Sequence, residues 1–262
     1  MTTSPAGLWF FVAMQGESFL VESQSMAESQ KVRCVWVLAA SPVWTSPERV
    51  RHLPTPDVVI AADGGSTLAA RLGLVPDLVV GDLDSSDPGL VQKLEAQSIR
   101  FDRFQHETKL ETDTELAVLA ALAWQPDTIL VLGGIGGRLD HSVANLLLLT
   151  HPQLLEHDVR LVDGKQVVLL GKPGRWTEIP ASTGDTVSLL PVGVDATGVV
   201  TSDLLYPLNS ETLLVGRGRG VSNEVTGPHP RVFYEEGLLM VIIVRTGRTK
   251  EEAHGTDKYE AK

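Results

Sequence analysis

Between residues 33 and 150, short β-branched and apolar runs alternate with stretches of helical period, and this alternation restricts the fold more than any other feature of the chain. VRCVWVLAA, VVIAA, LVV, IRF and TILVL read as strands. STLAARLG, DPGLVQKLEAQ and LAVLAALAW read as the helices between them. Ser66 is expected to cap the first and Gly73 to stop it, Asp87 stands ahead of Pro88 in the second, and Thr112 with Glu115 forms a capping-box pattern before the third. Parallel strands need such crossovers, so the expectation is a largely parallel sheet with helices on its faces.

Near residue 160 the helical period vanishes. RLVD, QVVLL, TVSLLPV, TLLV, VSNEV, RVFY and LLMVIIV follow one another with Gly, Pro and Asp between them, the pattern of an all-β sandwich or barrel. The expected organisation is an extension over 1–30, an α/β domain over 31–170, a β-rich domain entered through GKPG over 171–246, and a flexible tail over 247–262. GLWFFVAM near the start is far short of a spanning helix and has no basic segment before it, so it reads as part of a poorly ordered extension, with Met26 an alternative start. No membrane association is expected.

A net charge of −11 argues against a broad phosphate-backbone footprint and hence against nucleic acid as partner. The single cysteine, Cys34, excludes an intramolecular disulfide framework and a cysteine-rich zinc site, and fits a reducing, cytoplasmic setting.

Open α/β sheets bind ligands outside the carboxyl ends of their strands, and four suggestive clusters fall at such junctions. AADGGS places Asp63 before Gly64 and Gly65, where backbone N–H groups can approach a ligand closely. GDLDSS carries Asp82, Asp84 and Ser85; KLETDTE carries Thr112 and Asp113 at a helix start; GGIGGRLDH runs through Gly136 and Gly137 to Arg138, Asp140 and His141. Each alone is an ordinary turn or helix start. Together at one sheet edge they read as an acidic, glycine-lined site for phosphate and a metal. Mg²⁺ takes oxygen ligands and is held by one or two carboxylates with substrate phosphates, which suits Asp82 and Asp84. A guanidinium offers forked bonds to phosphate, which suits Arg138.

Competing motifs are missing. There is no GxxxxGK[ST] and no HRD or DFG set. Read from Gly134, the glycine run lacks the last glycine of a dinucleotide fingerprint, and GVSNE is not a nucleophile elbow.

The ordered set AADGG, PDLVVGDLDS, K-x-x-TD, GGIGGRLDH, LLYPL and GVSNE resembles the thiamine pyrophosphokinase family over roughly residues 35–244. The resemblance implies an α/β catalytic domain and a β-rich thiamine-binding domain, working as a Mg²⁺-dependent homodimer that transfers a pyrophosphoryl group from ATP to the thiamine hydroxyl and releases AMP. It further implies catalytic roles for Asp63, Asp82, Asp84, Asp113 and Arg138, with Asp82, Asp84 and Asp113 on the metal. ATP contacts are implied for Gly64, Gly65, Asp82, Ser85, Thr112, Asp113, Gly136, Gly137, Arg138, Asp140 and His141. Tyr206, Ser222 and Asn223 fall on the thiamine side, in a site at or near the dimer interface. Either Asp63 or Asp113 is placed to assist deprotonation of the hydroxyl.

One departure stands out: Leu110 occupies a position where the family commonly has an acidic residue, with Glu107 and Glu111 nearby as substitutes. The ATP half alone would equally serve a pyrophosphokinase for another hydroxymethyl heterocycle, such as a pterin. A non-catalytic ligand-binding homologue is the reading that Leu110 would favour.

Overall fold

The computed structural model describes residues 11–14, 17–20, 31–40, 47–83, 86–104 and 110–246. Two short strands, β1 (Phe11–Met14) and β2 (Glu17–Leu20), pair antiparallel within the N-terminal stretch.

The α/β part comprises β3 (Cys34–Leu38), α1 (Pro47–Val50), β4 (Val58–Ala62), α2 (Gly65–Leu72), β5 (Leu78–Gly81), α3 (Pro88–Ala96), β6 (Arg100–Arg103), α4 (Asp113–Ala121), β7 (Thr128–Leu132), α5 (Leu139–Leu148) and β8 (Val159–Asp163). All six strands from β3 to β8 run parallel, in the spatial order β8-β7-β3-β4-β5-β6. The central strands are buried on both faces, which is why they read as continuous apolar runs. In β3, Cys34, Trp36 and Leu38 enter one core, while Val35 and Val37 enter the other.

The β-rich part adds β9 (Gln166–Leu170), β10 (Thr177–Glu178), β11 (Thr186–Pro191), β12 (Ala196–Ser202), β13 (Asn209–Leu213), β14 (Asn223–Glu224), β15 (Arg231–Phe233) and β16 (Leu239–Val244). Four of these extend the same sheet: β9 turns back on β8, then β16, β11 and β14 follow, all antiparallel. One ten-stranded mixed sheet therefore runs through both parts. The other four form an antiparallel sheet in the order β10-β15-β12-β13.

The two faces of the long sheet have different covers. One core joins Leu68 and Ala69 of α2 to Val199 and Val232 of the four-stranded sheet and to Tyr234, which follows β15. The opposite core is closed by Leu116, Ala117, Val118 and Ala121 of α4 and by Leu149 at the end of α5.

Helix ends follow the sequence with one difference. The side chain of Asp87 accepts from the N–H of Leu90 at 2.8 Å, and Thr112 Oγ1 accepts from that of Glu115 at 3.2 Å. Gly73 stops α2 in the left-handed conformation. Ser66, expected as the cap of α2, lies instead inside its first turn; the cap is Gly64. The helix starts early because Gly65 packs directly on β3, where an added Cβ would lie 1.8 Å from the carbonyl oxygen of Leu38.

Candidate active site at the carboxyl edge of the parallel strands

Asp63 follows the last residue of β4 and takes φ = 43°, unusual for a residue with a side chain. Its N–H donates to the carbonyl of Val80, and its carbonyl accepts from the N–H of Ser66, so the backbone is fixed on both sides. The carboxylate is buried and accepts from the Ser86 hydroxyl at 3.0 Å. Asp82 follows β5, and Asp113 opens α4.

These three aspartates converge: Asp63, Asp82 and Asp113 each bring a carboxylate oxygen to within 4.8 Å of the others. Gly81 makes this possible. It has φ = 142°, and a Cβ there would stand 3.0 Å from both Asp113 Oδ1 and Asp63 Cβ. The set offers only hard oxygen donors, the chemistry Mg²⁺ selects. Asp84 and Ser85 lie outside the described residues. Leu110 is 84% exposed, Glu111 beside it accepts from the Leu110 N–H at 3.1 Å, and Glu107 lies outside the described residues.

The loop after β7 supplies the second element. Gly133, Gly136 and Gly137 all have positive φ, and at Gly133 a Cβ would come 2.7 Å from the carbonyl oxygen of Ala39. The loop is tied to the helix it precedes: Asn145 donates to the carbonyl of Gly134 at 2.7 Å, and Ser142 Oγ accepts from the N–H of Gly136 at 3.0 Å while donating to the carbonyl of Arg138. Ser142 and Asn145 are both buried. Sequence reading missed them, and missed Ser86; the only signal was polar residues at helical spacing on the face that returns to the glycine loop.

Arg138 caps α5 and is exposed. It makes a forked pair with Asp140, Nε to Oδ1 at 3.1 Å and Nη2 to Oδ2 at 2.6 Å. The guanidinium, with help from the N–H of His141, holds the Asp140 carboxyl down at about 2. His141 is exposed in the first turn. Sheet order puts this loop two strand spacings, about 10 Å, from Asp63.

Tyr206, Ser222 and Asn223 also come together. Asn223 accepts from the N–H of Tyr206 at 2.9 Å and donates to its carbonyl at 2.7 Å, and it accepts from the N–H of Glu224 as well. The buried Asn223 amide thus holds the Tyr206 loop, and the Tyr206 side chain is left 58% exposed. Ser222 sits beside it at φ = 60°, its N–H bound to the hydroxyl of Ser188.

Strand register locates this group relative to the carboxylates. Asn223 pairs with Val187, which pairs with Ile243, then Val167, Val162, Leu132, Leu38 and Ala61 in turn. Both groups therefore lie on the same edge of one sheet, but seven strand spacings apart, about 34 Å measured along it.

Convergent carboxylates beside a glycine loop and helix start, at the carboxyl edge of a parallel sheet, define an enzyme of the phosphate-handling α/β class. Comparison with known proteins specifies it further. The family model described as thiamin pyrophosphokinase, catalytic domain, matches residues 51–162, and that described as thiamin pyrophosphokinase, vitamin B1 binding domain, matches residues 177–239. The thiamine pyrophosphokinase of Bacillus subtilis (strain 168) is 26% identical over 211 residues, covering 80% of this chain and 98% of the relative. Thiamine pyrophosphokinase 2 of Oryza sativa subsp. japonica is 27% identical over 188 residues, 68% of each chain. A crystal structure of the Bacillus subtilis enzyme superposes with a TM-score of 0.73 over 82% of this chain and 100% of that one, at 24% identity, a likeness of fold. The chain belongs to the thiamin pyrophosphokinase family, and is a diphosphotransferase by that membership. The pterin and non-catalytic readings gain no support from these matches.

Proposed function

We propose that this chain transfers the pyrophosphoryl group of ATP to the hydroxyl of thiamine in a site shared between two copies of the chain. The observation that carries the chemistry is the convergence of Asp63, Asp82 and Asp113 at the sheet edge. Three carboxylates at that separation repel one another and any polyphosphate, and a hard cation relieves both. Asp63, Asp82 and Asp113 would hold Mg²⁺, which would neutralise charge on the phosphates as they transfer.

The remaining work belongs to the chain's own groups. The glycine loop leads into the N-terminus of α5, where anions are favoured. Arg138 adds forked donors there, and its pairing with Asp140 holds the guanidinium in one plane until phosphate competes for it. The thiamine hydroxyl oxygen attacks the β-phosphorus in line. A bond from oxygen to the β-phosphorus forms, the bond from the β-phosphorus to the oxygen bridging the α-phosphate breaks, and AMP leaves with that oxygen while the hydroxyl proton is lost. Positioning and charge neutralisation account for the acceleration.

Tyr206 offers an exposed aromatic face for a flat, cationic acceptor. A separation of about 34 Å along the sheet is too long for one small substrate to bridge within a chain. A two-fold dimer that sets the Tyr206 group of one copy against the carboxylates of the other closes two equivalent sites. Cys34 is buried, and burial pushes its thiol up, so it takes no part. Among the described residues no helix is long and apolar enough to cross a membrane; the single cysteine supports a reducing, cytoplasmic setting.

The test is product identity. With ATP, Mg²⁺ and thiamine, the chain should form thiamine diphosphate and AMP in equal amounts. Release of ADP, or turnover with a hydroxymethyl pterin and none with thiamine, would refute the assignment.

A further inference from the structure

At the opposite edge of the long sheet, where the α/β part meets the β-rich part, lies a cavity of about 230 Å³. Leu154, Leu169 and Trp176 line it together with Lys172, Arg160, Asp158 and Glu178. None of these residues belongs to the site described above.

Two features make this cavity more than a gap between sheets. The first is Trp176. The Arg231 guanidinium lies over its ring at 4.4 Å from the centroid, and Phe233 packs against it with centroids 5.8 Å apart. The indole is thus fixed in place, and the surface it keeps for the cavity is preorganised aromatic area.

The second is the arrangement of charge. Asp158 is fully engaged, accepting a fork from Arg160 at 2.8 and 2.7 Å and a further bond from the Thr128 hydroxyl at 3.0 Å. Glu156 gives its carboxylate to Arg175. Lys172 Nζ donates to the carbonyl oxygen of Glu156 at 2.6 Å. Burial, and then the charge of Arg175, hold its ammonium below the usual lysine range. Of the two carboxylates that line the cavity, Asp158 is taken by Arg160 and Glu178 is exposed, and a half-buried ammonium bonded to a carbonyl gains from an anion.

We infer that this cavity binds a small planar aromatic anion, its ring against Trp176 and its charged group on Lys172. Size agrees with that class. A cavity of about 150 Å³ holds benzene and drug-sized pockets start near roughly 300 Å³, so the space takes one ring with a short substituent. Carboxylate and phosphate share the chemistry that Lys172 recognises.

Benzoate and phenyl phosphate are the probes, titrated into the intact protein and followed by NMR at the Trp176 indole N–H. Saturable shifts there with either probe, weakened about tenfold or more in Lys172→Met (about 1.4 kcal/mol) and with neutral benzyl alcohol, are the expected result. Asp82→Asn should bind the probe as wild type does, which separates this site from the catalytic one. Shifts with neither probe, shifts unchanged by Lys172→Met in a folded variant, or shifts confined to the Asp63 edge would overturn the inference. Lys172→Gln serves as a second variant if the methionine form fails to fold.

Discussion

Aspartate does two different jobs at the two edges of this sheet. At the amino edge, Asp57 accepts from the N–H groups of Arg33 and Cys34, and Asp77 from that of Val59, so each ties a neighbouring strand. At the carboxyl edge, Asp63, Asp82 and Asp113 crowd together instead. Replacing Asp82 by Asn keeps shape and removes a charge. The expected result is a loss of kcat beyond the roughly 10–100-fold typical of outer-shell changes around a metal, in a protein that stays folded. Near-normal turnover at ordinary Mg²⁺ would return this aspartate to a turn-forming role. Arg138→Lys should also lower kcat, since an ammonium cannot reproduce the fork. The pair with Asp140 adds no pH dependence of its own in the working range. The folded carboxyl is held down at about 2, so its pairing is present above the unfolded value and lost only as pH falls through the folded one. A pH–rate profile should show no inflection from it.

Elements place these residues, and here the sequence was legible in part. The five strands of the first half and the caps at Asp87, Thr112 and Gly73 follow from period and end signals. So does the clustering of motifs at one edge, because topology forces every strand-to-helix junction of a parallel sheet to the same side. What could not be read is what glycines exclude. GDLDS gives no sign that Gly81 stands between two carboxylates, nor AADGG that Gly65 rests on the carbonyl of Leu38. Asn223, which the resemblance puts on the thiamine side, also bonds the Tyr206 backbone through its amide, and nothing in GVSNE signals that. A buried side chain bonded to a loop distant in sequence leaves no periodic trace. Gly81→Ala should cost roughly 1–3 kcal/mol of stability through its left-handed φ and raise the Mg²⁺ needed for half-maximal activity. Chemical denaturation and a Mg²⁺ titration check the two effects, and an unaltered Mg²⁺ requirement would place Gly81 outside the site's construction.

At the scale of the whole molecule, the sharing of one sheet between the two halves was not apparent from the change of pattern near residue 160. Alternating runs signal strands without revealing which sheet they join. The four-stranded sheet is tied to the long one by Tyr234, which follows β15, is fully buried and donates to the carbonyl of Gly171 at the end of β9 at 2.7 Å. Burial pushes its hydroxyl up to about 12. The folded chain therefore keeps this proton where the unfolded chain releases it, and stability falls as pH rises from the unfolded value of about 10 through the folded one. Tyr234→Phe should lower stability by about 1 kcal/mol at neutral pH and flatten that alkaline loss, which denaturation at a series of pH values would register.

The central claim is that carboxylates and thiamine face, about 34 Å apart along one sheet, meet only between copies. Mixing Asp82→Asn with Tyr206→Ala under verified subunit exchange, after each is shown to be dimeric and nearly inactive, tests this directly. Half of the dimers in an equal mixture are mixed, and each has one intact site, so activity should recover to about a quarter of wild type. Activity no higher than that of the two parents, with exchange confirmed by tagged subunits, would show that the two residues serve the same chain and would contradict the account.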